Sequence, residues 1–436
     1  MDKDILIIGL GTTGMSAIDA LYSKGFNIYV YDDNKENFNK CPENVAWYKG
    51  EEIDFIIKSP GIPLSNPFVY DLMKKYPIYS DIELAYRLTK CENIIAITGT
   101  NGKTTMVTLF QKVMDDANKK SYLGGNVGVG ILPLALEAEK DDVMIIECSS
   151  FQLETIEKFK PKIAIISNIT EDHIDHHGNV ENYRNSKKNI FKNQGEDDFL
   201  ILNIDDSYTA MIGEEHENAF VVSLLPIQQK GAYLSEGNLW FNLDDQPKKF
   251  MDRDELQVVG DHNVRNLLEV LLAALLIGVD EDSIRESFRT FKGVEHRIEF
   301  VDEYKKVKIY NDSKGTNPDS TIVAVDSMPG PVHLLAGGYN KGADFAPMFE
   351  KISSKIKNLY LFGETAPMLK KTAKEWGVEN IYMFATMEEA VKKSFTKVKR
   401  GDAILLSPAC ASWDQFDNYA DRGNKFKEIV ENLTRS

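Results

Sequence analysis

Short apolar runs recur along this chain at the intervals expected of strands separated by helices. Segments 5–8, 27–31, 55–57, 94–97, 143–146, 163–166 and 199–202 are apolar on consecutive positions and rich in β-branched residues. Continuous apolarity of that kind suits parallel strands covered on both faces. Apolar residues at helical spacing lie between them, as in 15–23 and 105–117. The pattern predicts an α/β fold with right-handed crossovers. A more polar stretch, 226–258, interrupts it. There Gly231 and Gly237 punctuate Tyr233, Leu234, Leu239, Trp240 and Phe241, which predicts antiparallel strands inserted before a helix at 263–277. Beyond Gly293 the α/β pattern resumes, with strands near Ile309 and over 333–335, 359–362 and 403–406. Three domains are expected, over 1–91, 92–292 and 293–436.

Composition narrows the class. At 436 residues and 43% hydrophobic content the chain is long enough for two or three cores. A formal charge of −16 argues against nucleic acid or an anionic membrane as partner. Cys41, Cys91, Cys148 and Cys410 are scattered without metal-ligand spacing, as in reduced cytoplasmic proteins. The N-terminus enters a strand at once, without a cleavable signal pattern. The most apolar run, 267–278, contains Glu269 and is too short to span a bilayer, so a buried helix is expected.

Two glycine motifs carry candidate chemistry. The run Thr98-Gly99-Thr100-Asn101-Gly102-Lys103-Thr104-Thr105 follows one apolar strand and opens a helix. Its glycines let backbone N–H groups approach an anion, Lys103 supplies a charge for β- and γ-phosphates, and the Thr104 hydroxyl suits Mg²⁺. The chain is thus expected to spend ATP or GTP. A standard phosphate loop has about four residues between its glycines, whereas two stand here, with Ile97 at the first-glycine position. Earlier, Gly9-Leu10-Gly11-Thr12-Thr13-Gly14 follows the first strand, and Asp32 and Asp33 end the next. That fits a dinucleotide fingerprint. The same turn can hold the nucleotide part of a substrate, or its glycines can serve strand–helix packing alone.

Further motifs converge. They are Gly124-Gly125-Asn126-Val127-Gly128, the segment 147–154 from Glu147 through Ser149 and Gln152, and Asn168-Ile169-Thr170-Glu171-Asp172-His173. Tyr183-Arg184-Asn185-Ser186-Lys187, Gly260-Asp261-His262-Asn263 and His296-Arg297-Ile298-Glu299 follow. With the short phosphate loop, their order and spacing resemble the Mur ligases, ATP-dependent amide ligases of peptidoglycan precursor synthesis, over essentially the whole chain. Asn311-Asp312-Ser313-Lys314-Gly315-Thr316-Asn317, Gly337-Gly338-Tyr339-Asn340-Lys341 and the segment 407–416 are similar to the D-glutamate-adding branch of that family.

The resemblance implies a Rossmann-like UDP-binding unit, a central phosphate-loop ATPase-type domain and a Rossmann-like C-terminal domain that binds the amino acid. It implies ATP and Mg²⁺ as cofactors, and UDP-N-acetylmuramoyl-L-alanine and D-glutamate as substrates, in a cytoplasmic monomer. Lys103, His173, Lys187, Arg297 and Lys314 are implied as catalytic. Gly99 to Thr105, Asn263, Asn266, Arg297 and Asp312 are implied for ATP. Thr104, Glu147, His173 and Lys187, the last as a carbamate, are implied for Mg²⁺; sequence alone does not separate Lys187 from Lys188. Thr12, Thr13, Asp32, Asp33, Gly61, Asn126, Ser149 and Gln152 are implied for the UDP-linked substrate, and Thr316, Lys341, Ser412 and Tyr419 for D-glutamate. His296, Arg297 and Lys314 are expected to reach the phosphates on domain closure. A zinc reading of the segment 172–177, with its three histidines, is set aside, and His176 and His177 are expected as solvated loop residues. The rival readings are a sister or folylpolyglutamate-type ligase, an NAD-dependent oxidoreductase, and a nucleotide-binding switch without catalysis.

Overall fold

The strands gather into three sheets in the computed structural model, which describes residues 3–22, 24–170, 173–216 and 218–435, with backbone only at 174 and 175. Ser23, Glu171 and Asp172, named above within an expected helix and a motif, lie outside the described residues. The first sheet comprises β1 (Lys3–Ile8), β2 (Phe26–Tyr31), β3 (Ala46–Trp47), β4 (Phe55–Lys58) and β5 (Ile78–Tyr79), in the order β3-β2-β1-β4-β5. All its pairings are parallel. Ile5, Leu6, Ile7 and Ile8 are buried, as a central strand covered on both faces requires. Each such side chain contributes about 1.5–3 kcal/mol of transfer free energy.

The second sheet runs from β6 (Asn93–Thr98), β7 (Ser121–Gly125), β8 (Val143–Glu147), β9 (Ile163–Ile166), β10 (Phe199–Asn203) and β11 (Phe220–Ser223) to β12 (Gly231–Ser235), β13 (Asn238–Asn242) and β14 (Lys248–Asp252). Its order is β14-β13-β12-β11-β10-β9-β6-β8-β7. The antiparallel insertion expected over 226–258 is the β12–β13–β14 meander, whose first strand continues the sheet parallel to β11. The chain reverses its direction of travel across the sheet at β6, which lies between β8 and β9. In open α/β sheets ligands bind outside the carboxyl end of such a switch strand, and here the phosphate loop leaves it.

In the third sheet β15 (Glu299–Tyr304), β16 (Val307–Asn311), β17 (Val332–Gly337), β18 (Ile356–Phe362), β19 (Ile381–Met383) and β20 (Ala403–Leu406) adopt the order β15-β16-β20-β17-β18-β19. Only the β15–β16 pairing is antiparallel among these described strands. Separate apolar clusters cover its two faces, around Leu334, Leu359 and Phe349 on one and Leu335, Tyr360 and Phe426 on the other. By compactness the chain divides into two units, residues 1–253 with 265–288, and residues 254–264 with 289–436. Among the described residues no helix is long and apolar enough to cross a membrane.

Candidate active site

Sheet register assembles the phosphate-loop site. Pairing of Ile97 with Glu147 places the end of β8 beside the loop, and pairing of Thr98 with Ile166 brings in Asn168. Asn168 then clamps the loop twice: its Oδ1 accepts from the Asn101 N–H at 2.9 Å and its amide donates to the Asn101 carbonyl at 3.0 Å. Gly102 sits in the left-handed region at φ +86°, and a Cβ there would lie 2.5 Å from Asn266 Oδ1. A side chain there would be strained in conformation and would displace the Asn266 amide. The helix Lys103–Asp116 starts directly afterwards, and its N-cap residue, Gly102, brings no side chain to its first N–H groups. Such N–H groups and the positive end of the helix dipole form an anion site.

Two donors, a hydroxyl and an amide, meet at Glu147, which is 2% exposed. The Thr104 hydroxyl donates to one carboxylate oxygen at 3.0 Å and the Asn126 amide to the other at 2.9 Å. Lys103 Nζ donates to the Gly99 and Thr100 carbonyls at 2.8 and 3.0 Å. Lys187, on the helix Val180–Lys188, is buried under the same loop and donates to the Gly99 carbonyl at 2.8 Å. Lys188 instead faces Glu215 at 3.6 Å and is about one-third exposed. The geometry thus separates two lysines that are indistinguishable in sequence.

Tyr183 is a residue that sequence reasoning left outside the site. Its hydroxyl lies 2.9 Å from Thr100 Oγ1, its ring centre 4.9 Å from Lys187 Nζ, and the His173 ring packs edge-on at 6.3 Å. The available signal was its spacing of four residues before Lys187, which puts both on one helix face. His173 carries a positive φ of 52° and packs on Phe151 at 4.9 Å.

His176 and His177 are not solvated loop residues. They lie on the helix Ile174–His177, where His176 Nε2 is 3.1 Å and His177 Nδ1 2.9 Å from the Glu154 carboxylate. His177 is buried, and its Nε2 lies 3.0 Å from Ser150 Oγ. Burial pulls its pKa down, partly offset by Glu154. The expectation failed because two consecutive polar rings read as surface, whereas Glu154, far back in sequence, gives both a partner.

The first glycine turn differs in chemistry. Gly9 has φ +92°, and Ser59 Oγ donates to its carbonyl at 2.9 Å. Asp32 accepts from the Leu10 N–H at 2.6 Å, the Asn34 N–H at 2.8 Å and the Asn37 amide at 3.2 Å. Burial pushes this carboxyl up, but the three donors outweigh it and hold it below the usual carboxylate range. Thr12 and Thr13 open the following helix. Asp33 is exposed and lines a cleft with Tyr31, Ile62 and Phe68, where Tyr31 and Phe68 stack at 4.1 Å. Gly61 is exposed nearby on the loop after β4. Ser149 and Gln152 form a reciprocal capping box at the start of the helix Ser150–Leu153, and Gln152 also donates to the buried Asp81 at 2.9 Å.

In the second unit, the carboxyl ends of β16, β17 and β20 carry the remaining candidates. Asp312 is buried, accepts from Ser407 Oγ at 2.7 Å, and is pushed up to about 7 by burial, against the pull of Ser407 and Arg297. Lys314 Nζ lies 5.8 Å from the Tyr419 ring centre. Thr316 follows in the same turn, its N–H on the Lys314 carbonyl. Ser412 is buried, whereas Lys341 is exposed with its ammonium 5.6 Å from the Trp413 ring centre. Arg422, unforeseen, is fully buried and donates to Ser313 Oγ, the Ser313 carbonyl and the Cys410 carbonyl at 2.8–3.1 Å. It ties the 311–317 turn to the 407–416 loop. Asn263 and Asn266 share the helix Asp261–Leu276, and the Asn263 amide donates to the Val259 carbonyl.

Comparisons with known proteins agree with this architecture. Residues 3–77 match the Mur ligase MurD-like N-terminal domain, 97–274 the Mur ligase middle domain and 296–410 the Mur ligase glutamate ligase domain. The UDP-N-acetylmuramoylalanine–D-glutamate ligase of Thermoanaerobacter sp. (strain X514) is 41% identical over 99% of both chains. That of Clostridioides difficile (strain 630) is 39% identical over 99% of both. Among solved structures, the MurF ligase of Thermotoga maritima in complex with ADP shares the fold, at 16% identity and a TM-score of 0.60, over 100% of this chain and 95% of that one. The chain belongs to the Mur ligase family.

Proposed function

We propose that this member of the family joins D-glutamate to UDP-N-acetylmuramoyl-L-alanine with cleavage of ATP to ADP and phosphate. The carrying observation is the convergence of a helix N-terminus with a glycine at its N-cap, Lys103, Thr104 and Glu147 at the switch strand of the central sheet. Relatives of about 40% identity over the full length bear the name of that activity. We assign the steps to residues 1–91 for the UDP-linked substrate, 92–292 for ATP and 293–436 for the amino acid.

The γ-phosphoryl group passes from ATP to the substrate carboxylate, breaking the bond to ADP and forming an acyl phosphate. The amine of D-glutamate then attacks the acyl carbon, loses a proton, and the tetrahedral intermediate expels phosphate. Such transfer needs positioning and charge neutralisation above all. In this assignment Lys103 and the N–H groups of Gly99 to Thr105 hold the phosphates. Asn263, Asn266, Arg297 and Asp312 bind ATP, and Lys314 stabilises developing charge. Thr104 and Glu147 are hard oxygen donors 3.0 Å apart, a set that fits Mg²⁺. Lys187 as a carbamate, with His173, would hold a second ion; Mg²⁺ supplies neutralisation of phosphate charge there. Thr12, Thr13, Asp32, Asp33 and Gly61 are assigned to the UDP part, with Asn126, Ser149 and Gln152 toward the muramoyl part. Thr316, Lys341, Ser412 and Tyr419 receive D-glutamate.

The test is a product analysis. With ATP, Mg²⁺, UDP-N-acetylmuramoyl-L-alanine and a panel of D- and L-amino acids, mass spectrometry is expected to find the muramoyl substrate extended by one glutamate residue, matched by ADP, with D-glutamate alone. Extension with another amino acid would assign the chain to a sister ligase. Oxidation of NADH without ligation would restore the oxidoreductase reading.

A further inference from the structure

From the geometry around the helix Ile174–His177 we infer a second kind of metal site, one for a borderline transition-metal cation such as Zn²⁺, formed by Glu154, His176 and His177. The ligand atoms of these three side chains all lie within 4.8 Å of one another. His176 Nε2 lies 3.1 Å from one Glu154 carboxylate oxygen and His177 Nδ1 2.9 Å from the other, so the carboxylate sits between the two imidazoles. A zinc ion bound by all three side chains would draw their ligand atoms to the spacing of about 3.4 Å that its short bonds set. Two imidazoles and one carboxylate form a donor set that prefers Zn²⁺ over Mg²⁺, which selects oxygen.

The surroundings support a ligand role. A neutral imidazole keeps one N–H, so metal entry requires only that each ring move its proton to the other nitrogen. For His177 that nitrogen is Nε2, and Ser150 Oγ at 3.0 Å accepts from it. Such an outer hydrogen bond fixes the tautomer that exposes Nδ1. Burial already disfavours the imidazolium form that would repel a cation. The Phe151 ring packs against both imidazoles, at 4.3 and 5.4 Å, and limits water around the ion. Lys58 acts on Glu154 electrostatically and moderates the affinity of the cluster. An ion here would staple the helix Ile174–His177 to Glu154, just past the end of the helix Ser150–Leu153, and so steady the turn at His173.

The untagged full-length protein, stripped with chelator and titrated with Co²⁺ in excess Mg²⁺, tests this. One equivalent of Co²⁺ is expected to bind with the visible absorption of four-coordinate cobalt, and Zn²⁺ should displace it and raise the melting temperature. His176→Ala and Glu154→Gln should each weaken Co²⁺ binding at least about tenfold, while His173→Ala keeps it; circular dichroism checks that each variant is folded. Absence of Co²⁺ binding in excess Mg²⁺ overturns the assignment. So does unchanged affinity in folded His176→Ala, or loss in His173→Ala with retention in His176→Ala.

Discussion

The two glycine turns of the first unit occupy matching places, each leaving the carboxyl end of a strand where its sheet reverses direction, yet they hold opposite electrostatics. After β1, the Asp32 carboxylate takes the Leu10 N–H that an anion would otherwise use. After β6, the N-cap residue Gly102 brings no side chain to the helix that opens at Lys103, and two lysines donate into the loop. A closed, acidic turn suits a nucleoside recognised by hydrogen bonds and aromatic contact. An open, basic turn suits a polyphosphate. The lesson is that a glycine pattern specifies a backbone shape, and the side chains that fill the shape decide its chemistry. The oxidoreductase reading suffers on the same ground, because both oxygens of the aspartate it assigns to a ribose already accept from Leu10, Asn34 and Asn37.

Lys103→Ala strikes the open turn directly. ADP release should fall by at least about 10²-fold, the scale of losing one positioned charge at developing anionic oxygens. The melting temperature should stay close to that of the parent, because the Lys103 bonds to the Gly99 and Thr100 carbonyls lie within its own loop. Lys187→Ala against Lys188→Ala sharpens the picture further. The buried residue should lose most turnover and the surface one should lose less than about twofold, as for an exposed ion pair. Intact-mass analysis in bicarbonate buffer should find the added carboxylate on Lys187.

The closed turn should respond differently. Asp32→Ala leaves the Leu10 N–H without its partner, a loss of about 1–3 kcal/mol. Lower melting temperature and a raised KM for the UDP-linked substrate are expected, with kcat little changed. An equal fall in kcat would mean that the two turns are not chemically separate.

A last effect, on stability alone, concerns the helix behind the open turn. Glu269 is fully buried, and burial raises its carboxyl to about 8, against the pull of Ser167 and Arg265. A folded value above the unfolded one means that the native state holds a proton the unfolded chain releases. Its contribution is intact below the unfolded value near 4.5 and is lost as pH rises toward 8. The unfolding free energy should decline from pH 5.5 toward 8 at a slope of at most about 1.4 kcal/mol per pH unit from this group, and the melting temperature with it. Glu269→Gln should flatten that decline. An identical slope in the variant would contradict the assignment.

Much of this was legible in the sequence, and the reasons are specific. Strands such as Ile163–Ile166 are buried on both faces, so their apolar runs are unbroken. The phosphate loop was legible because its glycines, lysine and threonine are contiguous. The short strands Ala46–Trp47 and Ile78–Tyr79 carry no period to detect, and Glu299–Tyr304 is a half-exposed strand with three acidic residues. Contacts between distant segments were the least legible. Glu154 reaches His176 and His177, Arg422 reaches Ser313 and Cys410, and Tyr183 reaches Thr100, each across a separation that no local pattern encodes.

The central claim is that the open turn spends a triphosphate to activate a carboxylate. Muramoyl substrate labelled with oxygen-18 in its carboxylate tests it most directly. If the acyl phosphate forms, each amide made should leave one labelled oxygen in the released phosphate. Unlabelled phosphate accompanying the same amide product would contradict the account.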